Sequence, residues 1–112
     1  MADNYCSDME LYIKQIREII PEAALYEQLA EECSELAQAC LKKARKLRDE
    51  NYTPKTMEEI DANLEEELTD VTLAANACNI VVNWHTEHVK AARWIERNKN
   101  TKFLLNNTKE HQ

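Results

Sequence analysis

The chain has no glycine, only two prolines and a single phenylalanine in 112 residues. Hairpin turns and β-bulges draw on glycine for their positive-φ positions, so its absence argues against a sheet protein and for an all-α fold. Nowhere do about 18 apolar residues run together, so no membrane span is expected. The opening MADNYCSDME lacks a basic region followed by an apolar run, which is not the pattern of a signal peptide, and the expected compartment is cytoplasmic. Positive charge is also in short supply. Fourteen Lys and Arg face 21 Asp and Glu, a formal charge of −7. That balance disfavours nucleic-acid polymers and membrane surfaces as partners, since both want a basic face. An acidic chain that handles an anion needs local cations or a bound metal. Zinc-type cysteine spacing is missing too: Cys6, Cys33, Cys40 and Cys78 contain no CxxC pair. Cys33 and Cys40, seven apart, are expected to be small buried hydrophobes in a reducing compartment.

What is present is helical periodicity. The length suits one domain over 1–112 with a modest core and a frayed tail at about 106–112. A first helix is expected from Ser7 or Asp8, with Met9, Tyr12, Ile13, Ile16, Ile19 and Ile20 on its apolar face and Pro21 ending it. Pro21 then opens a long second helix, about Glu22 to Asp49. Leu25, Leu29, Cys33, Leu36, Cys40, Ala44 and Leu47 alternate steps of four and three there, a bundle-packing stripe. NYTPKT reads as a loop. Thr56, with Glu59 three residues on, forms a capping box for a third helix with the stripe Ile60, Leu64, Leu68, Val71, Ala75, Cys78 and Val82. A fourth helix is expected over about Thr86 to Asn98. Trp84, Trp94, Tyr12 and Tyr26 are expected in core or interface.

Carboxylates crowd two of these stripes. In LAEECSELAQ, Glu32 and Glu35 are three apart and flank Cys33 and Leu36. In EELTD, Glu67 and Asp70 repeat that spacing beside Leu68 and Val71. If the two helices pack antiparallel through their stripes, four carboxylates converge. They must then take up protons or bind a cation, and oxygen-only ligands suit hard ions such as Mg²⁺, Mn²⁺ or Ca²⁺. Either pair alone is ordinary helix-surface decoration; two pairs hugging two stripes fit a cation site as well as they fit a solvated edge. A di-iron bundle is excluded, because no His follows a Glu at the Glu-x-x-His spacing.

EQLAEECSELAQACLKKAR followed by EEELTDV resembles the MazG-like, all-α nucleoside triphosphate pyrophosphohydrolase family, whose signature is E-E-x-x-E, an interval, then E-x-x-D. Here the signature reads Glu31-Glu32-Cys33-Ser34-Glu35 and Glu67-Leu68-Thr69-Asp70. The resemblance runs from about Tyr26 to Arg97. With KKAR and a late KAARW, the chain looks most like the small stand-alone members of phages and Gram-positive bacteria. Its interval is long for the family, the NYTPKT loop supplying the extra length. The resemblance implies a four-to-five-helix bundle that assembles as a homodimer or homotetramer. It also implies cleavage of a (deoxy)nucleoside triphosphate between the α and β phosphates, giving monophosphate and pyrophosphate, in nucleotide-pool cleansing. It implies Mg²⁺ (with Mn²⁺ as a substitute) on Glu32, Glu35, Glu67 and Asp70, and Glu31 as a helper that orients a ligand or activates water. Lys42 and Arg45 stand where the resembling members carry a basic pair, and are expected to touch phosphate. Lys90 and Arg93, with Arg97, form a second basic face, fit either for phosphate or for ion pairs with the acidic helices. Asn63, four before Glu67, is the best candidate for reading a base edge. The alternative left open is a non-catalytic helical interaction or nucleotide-binding module of the same family.

Overall fold

The computed structural model describes residues 2–50, 52, 54–99 and 101, with side chains from Asp8 onward. Four helices follow in order: α1 Ala2–Ile19, α2 Glu22–Arg48, α3 Met57–Ala77 and α4 Trp84–Asn98, with no strand among the described residues. The all-α expectation holds. The described residues divide into two compact units, one ending at Ile80 and holding α1 to α3, the other starting at Val81 and holding α4. The expected tail at 106–112 lies outside the described residues.

The helix stops show how a glycine-free chain turns. Helices commonly end on a left-handed residue, usually glycine because other residues clash there. Here Asp49 takes that role after α2 with φ 56°, and Asn79 after α3 with φ 62°. Each is wrapped by the same pair of backbone bonds. Asp49 N donates to Lys46 O and Glu50 N to Arg45 O; Asn79 N donates to Asn76 O and Ile80 N to Ala75 O. Asp and Asn are the non-glycine residues that best tolerate this region, because their short polar side chains bond locally.

The starts agree in part with expectation. The Thr56 hydroxyl accepts from Glu59 N at 3.2 Å and opens α3. The Glu59 carboxylate accepts from that same hydroxyl at 3.3 Å, so the box closes side chain to side chain. Asn83 caps α4 by accepting from Thr86 N at 3.0 Å, which starts the helix two residues earlier than expected. Pro21 stands just outside α2 at φ −57°, ψ 148°, rather than in its first turn. In α1 neither Ser7 nor Asp8 is a cap. The helix runs from Ala2, because nothing between Ala2 and Ile19 interrupts the i to i+4 ladder.

In the first unit α2 and α3 lie antiparallel. Leu25 packs with Ala77 and Cys78, Glu32 and Glu35 meet Glu67 and Asp70, and Lys43 pairs with Asp61; one number climbs as the other falls. Ile16 of α1 and Ile20 just beyond its end pack onto the Leu25–Ala77–Cys78 cluster. The Arg17 guanidinium clasps the end of α3, donating through Nε to Ala77 O and through a terminal nitrogen to Asn76 O, both at 3.0 Å. A cation against the last carbonyls of a helix is favoured by its dipole.

The packing faces are rotated from the expected ones. On α2 the inward row is Leu25, Leu29, Glu32, Leu36, Ala39 and Lys43, a three-four alternation that shares Leu36 with the expected stripe but has Glu32, Ala39 and Lys43 one residue before Cys33, Cys40 and Ala44. Cys33 and Cys40 are therefore exposed thiols rather than buried hydrophobes, and Leu47 is 65% exposed. On α3 the buried residues are Ile60, Ala74 and Ala77, with Cys78 behind them, whereas Leu68 points outward; Val82 lies beyond the helix and is exposed. On α1, Met9, Ile13, Ile16 and Ile20 face in, while Tyr12 and Ile19 do not. Tyr26, Trp84 and Trp94 are exposed as well, so none of the four large aromatics is core. In α4 no residue is buried.

The rotated faces give a test. Leu25, 5% exposed, sits in the core cluster. Leu25→Ala is expected to cost about 2–5 kcal/mol, and Leu47→Ala about 0.5 kcal/mol or less. Urea unfolding of the two variants measures both, and equal losses would return Leu47 to the core.

Candidate metal centre

The rotated faces put carboxylates where a bundle ordinarily puts leucine. Glu32 on α2, and Glu67 and Asp70 on α3, are half-buried; Glu35 is exposed at the rim. One ligand oxygen from each of the four lies within 4.8 Å of the others. The geometry follows from two helical steps. Residues three apart share a face, so each helix contributes a pair, and the antiparallel register sets the pairs opposite one another. This is the only group of three or more potential metal ligands among the described residues.

Two oxygens in the group are buried without a hydrogen-bond partner, Glu32 Oε2 and Glu67 Oε2. Buried polar atoms are nearly always satisfied, and an orphan calls for a reason such as an ion. The other Glu32 oxygen is occupied. Gln28, one turn earlier on α2, donates through Nε2 to Glu32 Oε1 at 2.7 Å. That bond fixes one oxygen outward and leaves the second for the cluster, as outer partners commonly orient metal ligands. The neighbouring threonines offer nothing to the group. Thr69 gives its hydroxyl to Glu65 O at 2.8 Å and Thr72 gives its own to Leu68 O at 2.9 Å.

Electrostatics point the same way. The Glu35 carboxyl is held above the ordinary glutamate range. The negative charge of Glu32 is the largest cause, followed by partial loss of water, the charge of Glu67, a hydrogen bond with Glu67, and the charge of Glu31. Each of these favours the protonated form. The donor set of four carboxylates, two with idle oxygens, fits a hard divalent cation.

The remaining expected residues take definite places. Glu31 is exposed on α2, near enough to raise Glu35. Lys42 is exposed and Arg45 half-buried. They stand about 10 and 15 Å along the helix beyond Glu35 at 1.5 Å per residue. Asn63 is half-buried on α3, on the Asp61 side of Glu67. Lys90 and Arg93 are exposed on α4, in the second unit. At the opposite side of the carboxylates from Lys42 a cleft of about 180 Å³ opens among α1, α2 and α3, with Glu32 and Asp70 in its wall. Sequence reasoning missed both this cleft and Gln28. Gln28 was detectable in principle, as an amide one turn before a candidate ligand. The cleft was not, because it depends on how α1 meets the other two helices.

Scans against protein-family models, curated proteins and solved structures return no match to this chain.

The raised Glu35 fixes the sign of a pH effect. A carboxyl raised by folding contributes stability below the ordinary glutamate pKa and loses that contribution as pH rises through the folded-state value. Glu35→Gln, which stays neutral, is therefore expected to melt above the parent at pH 7 in chelator. The gap should shrink as pH falls toward 4. Thermal unfolding followed by circular dichroism checks this, and a variant that melts lower at pH 7 contradicts the repulsion on which the centre is argued.

Proposed function

We propose that the protein is a divalent-cation-dependent nucleoside triphosphate pyrophosphohydrolase of the MazG-like type, cleaving a (deoxy)nucleoside triphosphate to monophosphate and pyrophosphate. One observation carries the reading: two Glu/Asp pairs from antiparallel helices meet within 4.8 Å, with two buried oxygens left idle. The order E-E-x-x-E then E-x-x-D, on which the resemblance rests, supplies the same four residues.

Glu32, Glu35, Glu67 and Asp70 would hold Mg²⁺, with Mn²⁺ as a substitute. When bound, such ions neutralise phosphate oxygens and lower the pKa of water. The chain's own residues do the rest. Gln28 holds Glu32 in its binding orientation. Glu31, on the exposed rim next to Glu32, orients a ligand or accepts the proton of the attacking water. Lys42 and Arg45 extend the site along α2 and offer cations to the polyphosphate. No Ser or Cys nucleophile is needed, since phosphoryl transfer rests on positioning and charge stabilisation.

Assembly as a homodimer or homotetramer belongs to the same reading. Residues 1–80 carry 8 Lys and Arg against 18 Asp and Glu, while residues 81–112 carry 6 against 3. The helix α4 buries none of its residues. A basic helix of this kind suits the acidic unit of a second copy, where Lys90 and Arg93 would reach a neighbour's phosphates.

Pyrophosphate release from a panel of dNTPs tests the function. Release is expected with Mg²⁺ and not with chelator. Glu32→Gln and Asp70→Asn are expected to lower it by about 100-fold or more, the scale lost when a preorganised charge-stabilising group is removed. Release that survives both substitutions would remove the four carboxylates from the chemistry. No release from any dNTP or NTP would leave a helical interaction module.

A further inference from the structure

The apolar part of the cleft beside Glu32 and Asp70 has no role in the hydrolytic chemistry proposed above. It is small, about 180 Å³, and its walls include Ile16 of α1, Ile20 just past the end of that helix, and Leu73 of α3. Gln28, Glu32 and Asp70 supply its polar side. Pockets for drug-sized ligands run to about 300–1,000 Å³, whereas an apolar cavity of about 150 Å³ is enough for one benzene ring. From these magnitudes and the layout of α2 we propose that the cleft receives a single six-membered ring of the substrate, making the site selective for pyrimidine over purine nucleotides. The substrate class rests on the hydrolase reading; the ring selectivity rests on the cleft.

The polar edge supports a nucleobase over a plain hydrocarbon. An ionised carboxylate only accepts hydrogen bonds, so the amide nitrogen of Gln28 must face Glu32. Its carbonyl oxygen is then turned away and available to accept. Uracil and thymine offer N3–H to such an acceptor, and cytosine offers its exocyclic amino group. Gln28 thus becomes a positioning residue for Glu32 and a specificity residue for the base at once, a role that goes to it and not to Asn63.

The layout of α2 agrees. Along one helix run Leu25 and Gln28 at the cleft, Glu32 and Glu35 at the carboxylates, then Lys42 and Arg45. From Gln28 to Lys42 is about 21 Å at 1.5 Å per residue. Base, then triphosphate, would lie in that order, with the base in an apolar recess that borders the carboxylates.

Two measurements test the proposal. The first is binding of deoxyuridine and deoxyadenosine monophosphates with Mg²⁺ present, read from the NMR methyl signals of Ile16, Ile20 and Leu73. The second is kcat/KM for dUTP, dCTP, dTTP, dATP and dGTP with Mg²⁺. The pyrimidine compounds are expected to shift those methyls and to lead in kcat/KM by at least about tenfold, the lower end of what pocket fit alone provides. Ala74→Leu, which fills the cleft, should abolish the methyl shifts. Gln28→Ala, a surface truncation that keeps the fold, should bring pyrimidines and purines to within about threefold. Purines that bind and react as well as pyrimidines overturn the ring proposal and leave the hydrolase standing. Methyl shifts from deoxyuridine monophosphate with no turnover of any triphosphate uphold the ring pocket and sink the hydrolase. Methyls that ignore both monophosphates overturn the proposal whatever the kinetics show.

Discussion

The first unit depends on forcing like charges together. The antiparallel register of α2 and α3 sets Glu32 and Glu35 against Glu67 and Asp70, and that register is held by what flanks the carboxylates. On one side Leu25, Ala77 and Cys78 form a cluster with Ile16 and Ile20 laid over it. On the other, Ala39 and Ile60 are buried and Lys43 pairs with Asp61. Burial at both ends is favourable, and the repulsion in between is carried as its cost. An interior built for stability alone would have leucine at positions 32, 67 and 70. Natural sequences break the pattern in this way where a site must be kept.

That exception explains how much of the structure could be read in advance. The helices were legible because they rest on local rules: the cap at Thr56, the stop near Asp49, the proline at 21. The pairing of the four carboxylates was legible because each pair sits three apart beside apolar residues. The phase of the faces was not. A reader assigns the inward row to apolar residues, so Cys33 and Cys40 were placed inside and Glu32 just outside. The molecule does the reverse, exposing two thiols and turning Glu32 inward. A sequence carries no direct mark of which near-equivalent rotation of a helix wins; the partner helix decides.

The two units differ in kind. The first holds all the buried apolar residues among those described, including Ile13, Leu25, Ile60 and Ala77, and carries most of the acid. The second leaves Trp84, Trp94 and Ile95 largely in water and carries an excess of cations. A helix with apolar and basic residues and no buried face gains little from folding alone, because helical stability comes chiefly from tertiary packing. In the homo-oligomeric assembly proposed above, that helix would be one half of an interface.

The glycine-free stops have a practical meaning. Asp49 and Asn79 each hold a left-handed backbone that glycine would occupy without a Cβ clash. Both lie at helix ends, away from the four carboxylates. An engineer seeking a hardier version has two addresses at which a single substitution relieves backbone strain while leaving the carboxylate cluster untouched. The gain at each is about 1 kcal/mol at most, because glycine also loosens the unfolded chain. A sequence that avoids glycine throughout has thus left part of its attainable stability unused, at sites that can be named.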